Sequence, residues 1–330
     1  MFKNLLTSVA FAAGLTTSLT TLAFAESHTM AIDKPECIAP AKPGGGFDIT
    51  CRVAQAGLAS MTSRPMQVTF MPGGIGAVAI SLFNTTRTDD PNAIVAFSSG
   101  SLLNMATGKY GQFAEKDVKF VATAGADFGA IVVNADSEYK TLDDLMSALE
   151  ADLGSIAIGA GGGVGSQDWM KGALMVKSRN LDPKAMRYVA FDGGGEAIAA
   201  LLGNSIQAYT GDVGELVSYV GGDKLRILAV MSPERLEAPF DQVPTTKELG
   251  YEGAEWVILR GFYMGKNVSD EAYNAWADAF KAAYETEEFA QIQKDKGLLP
   301  LNMAGEEFQE DVLLRVERMR VIAKEAGLIE

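Results

Sequence analysis

Short apolar runs alternate along the chain with stretches whose apolar positions recur three and four residues apart. Residues 37–39, 66–70, 93–97, 118–122 and 130–133 read as buried strands, and 155–158, 188–191, 206–209 and 225–230 continue the series. Helical spacing lies between them. Ile49, Val53, Ala56 and Leu58 share one face, as do Leu142, Leu145, Met146 and Leu149, the latter behind a capping-box pattern that starts at Thr141. Residues 196–202 form a helix that stops at Gly203, and Ser269 caps a helix with Tyr273, Trp276, Phe280 and Tyr284 at helical spacing. Those aromatics read as core. A last helix over 306–326 carries Phe308, Val312, Leu313, Val316, Met319 and Ala323 on one side. The strand-then-helix order predicts an α/β fold.

The junctions are richer in glycine than the elements. Gly44-Gly45-Gly46-Phe47-Asp48 joins the first strand to the first helix, and Met71-Pro72-Gly73-Gly74-Ile75-Gly76 joins the second strand to its helix. Gly159 to Gly165, ending in Ser166-Gln167, repeats the order, and so does Asp192-Gly193-Gly194-Gly195. Glycines let the backbone turn sharply and aim several N–H groups at one point, at the positive end of a helix dipole. Such a turn binds an anion without a basic side chain; the alternative is a tight strand-to-helix connection. Asp48 and Ser166 are placed to cap the helices that follow. None of the turns fits G-x-G-x-x-G or ends in Gly-Lys-Ser/Thr, which argues against nucleotides. Ser98-Ser99-Gly100-Ser101 and Thr210-Gly211-Asp212 place polar groups at strand ends, where open α/β sheets bind ligands or where the next helix is capped. Arg260 is a lone charge in an apolar run and wants a partner; with Lys42 it is the candidate for balancing extra carboxylates.

Composition narrows the chemistry. Lys3 precedes an apolar run to Phe24, and Ala23-Phe24-Ala25 follows the A-x-A pattern of a secretory cleavage site, so residues 1–25 are expected to be a signal peptide cut after Ala25. The formal net charge of −14, about −15 without Lys3, argues against nucleic acid and anionic membranes as partners. His28 is the only histidine and sits beside the cleavage site, which argues against Ser-His-Asp, Cys-His and histidine-ligated metal chemistry. No cofactor or metal is expected. The two cysteines, Cys37 and Cys51, bracket the first glycine turn. In an oxidising compartment an even count invites a disulfide, worth about 3 kcal/mol in the chain-entropy model; two buried thiols are the alternative.

Taken in order, the motifs resemble the periplasmic receptors of tripartite tricarboxylate transporters, the Bug family. The marks are residues 38–48 and 71–76, then Gly161-Gly162-Gly163-Val164-Gly165-Ser166-Gln167, Phe191-Asp192-Gly193-Gly194-Gly195-Glu196, and residues 243–250. The cysteine pair is similar to that of the branch binding tricarboxylates. The resemblance implies a two-lobed periplasmic binding protein of type II, with the ligand between the lobes. Residues 26–129 and 255–330 would form lobe 1, and 130–254 lobe 2. It further implies that residues 44–48 and the turn from Gly161 to Gln167 hold one carboxylate between them. Ser98, Ser99, Gly194, Gly195 and Asp212 would line the rest of the cleft. Asp168, where many members have histidine, and Asp192 depart from the family pattern.

The expected function is therefore capture of a small polycarboxylate, citrate or a similar tricarboxylate. A periplasmic monomer would deliver it to the large and small membrane subunits of a transporter. The other readings are a sensory adaptor for a membrane kinase, or a secreted hydrolase using paired carboxylates.

Overall fold

The computed structural model describes residues 32–325 and residue 329. The expected signal peptide, at 1–25, lies outside the described residues. The first part of the chain runs β1 (Glu36–Ala39), α1 (Gly46–Gly57), β2 (Gln67–Phe70), α2 (Ala77–Thr85), β3 (Ala93–Ser98), α3 (Ser99–Ala106) and β4 (Val118–Phe128). The second part runs β5 (Ala130–Asn134), α4 (Leu142–Ala151), β6 (Ile158–Gly161), α5 (Gln167–Ser178), β7 (Tyr188–Phe191), α6 (Gly194–Leu202), β8 (Ala208–Tyr209) and β9 (Leu225–Val230). The chain then returns through β10 (Val257–Gly265), α7 (Asp270–Tyr284), α8 (Glu287–Asp295) and α9 (Glu306–Glu325).

These strands form two five-stranded sheets, ordered β2-β1-β3-β10-β4 and β7-β6-β8-β5-β9. In each, three strands run parallel and the fourth is antiparallel to its neighbours. That fourth strand is β10 in one sheet and β5 in the other, each arriving from the opposite lobe. The two crossings meet at Gly129, whose N–H donates to the Trp256 carbonyl and whose carbonyl accepts from Met231. Helices cover both faces of each sheet. In lobe 1, Cys37, Val53, Phe262, Trp276 and Phe280 fill one face, and Phe83, Phe97, Phe120, Phe308 and Val312 the other. The last helix thus packs back onto the first sheet. In lobe 2, Leu145, Met146, Trp169 and Val176 pack on one face and Ile198, Leu201 and Tyr209 on the other.

Trp276 and Phe280 are fully buried, and the Trp276 indole donates to the Pro91 carbonyl at 3.0 Å. Four details differ from the sequence reading, one being the strand expected at 155–158, which lies at Ile158–Gly161. Asp48 does not cap α1. The N-cap is Gly45, and Asp48 lies in the first turn, reaching back to the Gly44 N–H (2.9 Å) and across to Arg52 (3.0 Å). The expected strand at 206–209 is only Ala208–Tyr209. The strand expected at 118–122 continues to Phe128, paired with β10 along its length, and Asp127 near its end meets the buried Arg260. Cys37 and Cys51 are joined in a disulfide that ties β1 to α1 behind the first glycine turn.

Candidate ligand-binding cleft

The carboxyl ends of both sheets face one another, and the glycine turns meet there. The Gly44–Gly46 turn of lobe 1 lies against the Gly193–Gly195 turn of lobe 2. The Lys42 N–H donates to the Asp192 carbonyl at 3.2 Å. A Cβ on Gly195 would run into the Pro43 carbonyl, and one on Gly46 into the Arg260 guanidinium. Glycine is required here because two backbones approach each other and a buried cation. Further out, Lys42 pairs with Glu196 (2.8 Å) and Lys109 donates to the Gly165 carbonyl (2.8 Å), both across the cleft.

An inner cavity of about 50 Å3 remains. It is bounded by Gly46, Phe47 and Ser98 of lobe 1 and by Ser166, Gln167, Gly194 and Asp212 of lobe 2, with Arg260 at its floor. It is small beside the roughly 300–1,000 Å3 of most ligand pockets. A wider space of about 760 Å3 opens at the mouth, lined by Gly162, Gly163, Val164 and Lys109. Ile75, Asn104 and Ser166 border both spaces.

The floor carries a chain of alternating charge. Asp127 accepts from Arg260 at 2.6 Å, Arg260 also donates to Asp212 at 2.6 Å, Asp212 takes Lys171, and Lys171 reaches Asp168 at 2.7 Å. All five side chains are buried or nearly so. Burial would lift Asp212, but Lys171 and Arg260 hold it below the usual carboxylate range. Burial lifts Asp127 and Asp168 against the pull of their cations, with Asp212 adding to the rise. Burial would lower Lys171 and Arg260, and the neighbouring acids instead raise both. The guanidinium expected to meet additional ligand carboxylates is thus already engaged by two of the protein's own.

Glu215 lies beside this chain with no cation bonded to it among the described residues, and the nearby Arg260 charge works against the rise of its carboxyl. It sits in the 3-10 turn Val213–Tyr219, boxed against Asp212. One carboxylate oxygen accepts from the Gly46 N–H at 2.7 Å; the other accepts from the Tyr209 hydroxyl and from the Asp212 N–H at 3.2 Å. Burial, then the charges of Asp212 and Asp168, push its carboxyl up to about 8.

In the second turn the Gly161 N–H donates to Asp168 (2.9 Å), and the Ser166 hydroxyl caps α5 by accepting from Trp169 N–H (3.2 Å). Ser98 caps α3 while bordering the cavity, whereas the Ser99 hydroxyl accepts from Leu259 N–H (2.9 Å). Gln167 is 8% exposed, and its Oε1 is buried with no hydrogen-bond partner.

Over residues 50–328 the sequence matches the family described as the tripartite tricarboxylate transporter family receptor. The chain belongs to that family. A curated relative of this receptor, the "UPF0065 protein in gbd 5'region" of Cupriavidus necator, is 26% identical over 287 residues, or 86% of this chain and 85% of that one. The solved structure of the periplasmic binding protein BugD superposes with a TM-score of 0.79 at 18% identity, over 90% of this chain and 98% of that one. MatC of Rhodopseudomonas palustris, solved with bound malate, gives 0.74 at 18% identity, over 88% and 98%. At these identities the likeness shows the receptor's fold: two α/β lobes of the periplasmic binding protein kind.

Sequence reasoning missed Asp127, Lys171 and Glu215 as cleft residues. Asp127 had the same mark as Arg260, a lone charge in an apolar stretch. Lys171 follows Asp168 by three residues on one helix, and Glu215 follows Asp212 by three in a capping box.

Proposed function

We propose that this receptor is exported to the periplasm, captures a small polycarboxylate between its lobes and presents it to the large and small membrane subunits of a transporter. The lobes are 26–129 with 255–330, and 130–254. Ligand contacts come from Gly44, Gly45, Gly46, Phe47 and Asp48 on one side and from the turn Gly162 to Gln167 on the other. Ser98, Ser99, Gly194, Gly195, Asp212 and Arg260 complete the set. Tricarboxylates such as citrate lead the class.

The observation that carries this reading is the opposition of two glycine turns at the starts of α1 and α5, facing one space. N–H groups at helix starts grip a carboxylate with charge-assisted hydrogen bonds. Because the turns belong to different lobes, a shared ligand draws them together. A thermal-shift panel of mono-, di- and tricarboxylates tests it. A true ligand at a hundred times its Kd adds about 2.7 kcal/mol of stability. If no carboxylate raises the melting temperature, the reading fails.

A further inference from the structure

The first glycine turn already holds a carboxylate, and it comes from the opposite lobe. Glu215 Oε1 accepts from Gly46 N–H at 2.7 Å, in the position that the receptor reading gives to a ligand carboxylate. Gly194 has no side chain, and a Cβ there would strike the Glu215 carboxylate, so that group is packed into a fitted space. Tyr209 and the Asp212 N–H hold its other oxygen. The residue is 8% exposed and borders the inner cavity.

From this we infer that Glu215 is an internal occupant of the first glycine turn, one that a ligand carboxylate must displace, and so a specificity-setting residue of the cleft. The inference rests on the receptor reading. A second carboxylate cannot accept from the Gly46 N–H at hydrogen-bond distance without meeting Glu215 Oε1 at the same point, so the two exclude each other by contact and a ligand must break the Glu215 bond first. Arg260 offers little relief, since Asp127 and Asp212 already share its guanidinium. Across the floor, four carboxylates (Asp127, Asp168, Asp212 and Glu215) face two cations, Lys171 and Arg260.

An unsatisfied group at the same cavity points the same way. Gln167 Oε1 is buried beside the cavity and lacks a donor. A ligand that leaves Glu215 seated would bring a hydroxyl or amine to these acceptors. A ligand that brings a carboxylate to Gly46 must expel Glu215, and its affinity is reduced accordingly. Glu215 also bridges the lobes, so the same contact holds the cleft narrow before ligand arrives.

Two substitutions separate vacating the turn from changing the acid. Glu215→Asp keeps the acid but is one methylene shorter and cannot span from its turn to Gly46. Glu215→Gln keeps the length and an acceptor oxygen for the Gly46 N–H. Calorimetry with citrate and malate at pH 7 should show Glu215→Asp binding about tenfold tighter than the native protein, roughly the worth of one displaced hydrogen bond, and Glu215→Gln binding close to native. X-ray scattering of the ligand-free proteins should show a larger radius of gyration for Glu215→Asp. A Glu215→Asp protein that melts cooperatively yet binds both acids no more tightly than native overturns the inference, as does an unchanged radius. If Glu215→Asp fails to fold, Glu215→Ala, which also vacates the turn, decides by the same two readouts. Should native protein and both variants all ignore every carboxylate tried, the receptor reading falls instead, and the radius alone then judges whether Glu215 holds the lobes.

Discussion

The glycine turns that start α1 and α5 border one cavity and share an internal device, but they meet the opposite lobe through different groups. In each, an aspartate in the first turn of the helix reaches back: Asp48 accepts from Gly44 and Asp168 from Gly161. Those bonds survive when the lobes part. Toward the other lobe, the α5 turn offers the Gly165 carbonyl to the exposed Lys109, whereas the α1 turn offers the Gly46 N–H to the buried Glu215. Parting leaves Lys109 and Gly165 to water, but it takes Glu215 out of a fitted seat, so the Gly46 N–H and Glu215 must each find another partner in an open molecule. Two loops of similar sequence thus differ in their lobe-to-lobe contact, one solvated and the other buried.

The largest effect should come from cutting the charge chain that both turns lean on. Arg260→Ala leaves Asp127 and Asp212 buried without their shared cation, and breaking a buried pair this way costs about 3–5 kcal/mol. Urea unfolding measures it, and a loss below 1 kcal/mol would show that the floor rearranges freely.

The turns themselves can be compared by adding one methyl group to each. A Cβ on Gly46 meets the Arg260 guanidinium, whereas one on Gly163 meets nothing within 4 Å. Gly46→Ala should therefore lose about 1–3 kcal/mol from crowding, and Gly163→Ala should melt close to native. Equal losses would erase the distinction.

A third comparison uses pH. Glu215 is pushed up from 4.5 to about 8 in the folded protein. A carboxyl raised on folding favours the folded state at low pH, and that contribution is lost as pH rises from about 4.5 through about 8. Glu215→Gln removes this dependence. Relative to native, the variant should gain at least about 1 kcal/mol between pH 5 and pH 8, the worth of one pKa unit. A constant difference between the two proteins across that range would contradict the assignment.

The smallest effect belongs to the rim. Lys42 and Glu196 are paired across the cleft with side chains 45% and 37% exposed. Lys42→Ala should change stability by less than about 1 kcal/mol and lose even that in high salt.

What the sequence discloses follows from the range of each signal. Strand-turn-helix order, the caps at Thr141, Ser166 and Ser269, and the Cys37–Cys51 bridge are legible because each depends on neighbours a few residues away, or on a count of two. Asp48 misleads because an acid near a helix start can reach backwards as easily as it can cap. The floor of the cleft is barely legible: Arg260 asks for a partner, but nothing local says that the partners are Asp127, 133 residues earlier, and Asp212, 48 residues earlier. Glu215 is harder still. Its local role, boxing the turn after Asp212, is complete without the bond to Gly46, 169 residues away.

The placement of the three tryptophans gives this molecule a built-in optical gauge. Trp169 stands one turn into the helix that begins at the second glycine turn, and Trp256 lies at the crossing, where its carbonyl holds Gly129. Trp276 is sealed in the lobe 1 core and bonded to Pro91. Emission from the first two should follow rearrangement of the cleft and hinge, while the third supplies a constant background. Closure can thus be timed by stopped-flow fluorescence on the unlabelled protein, with Trp169→Phe and Trp256→Phe apportioning the signal between cleft and hinge.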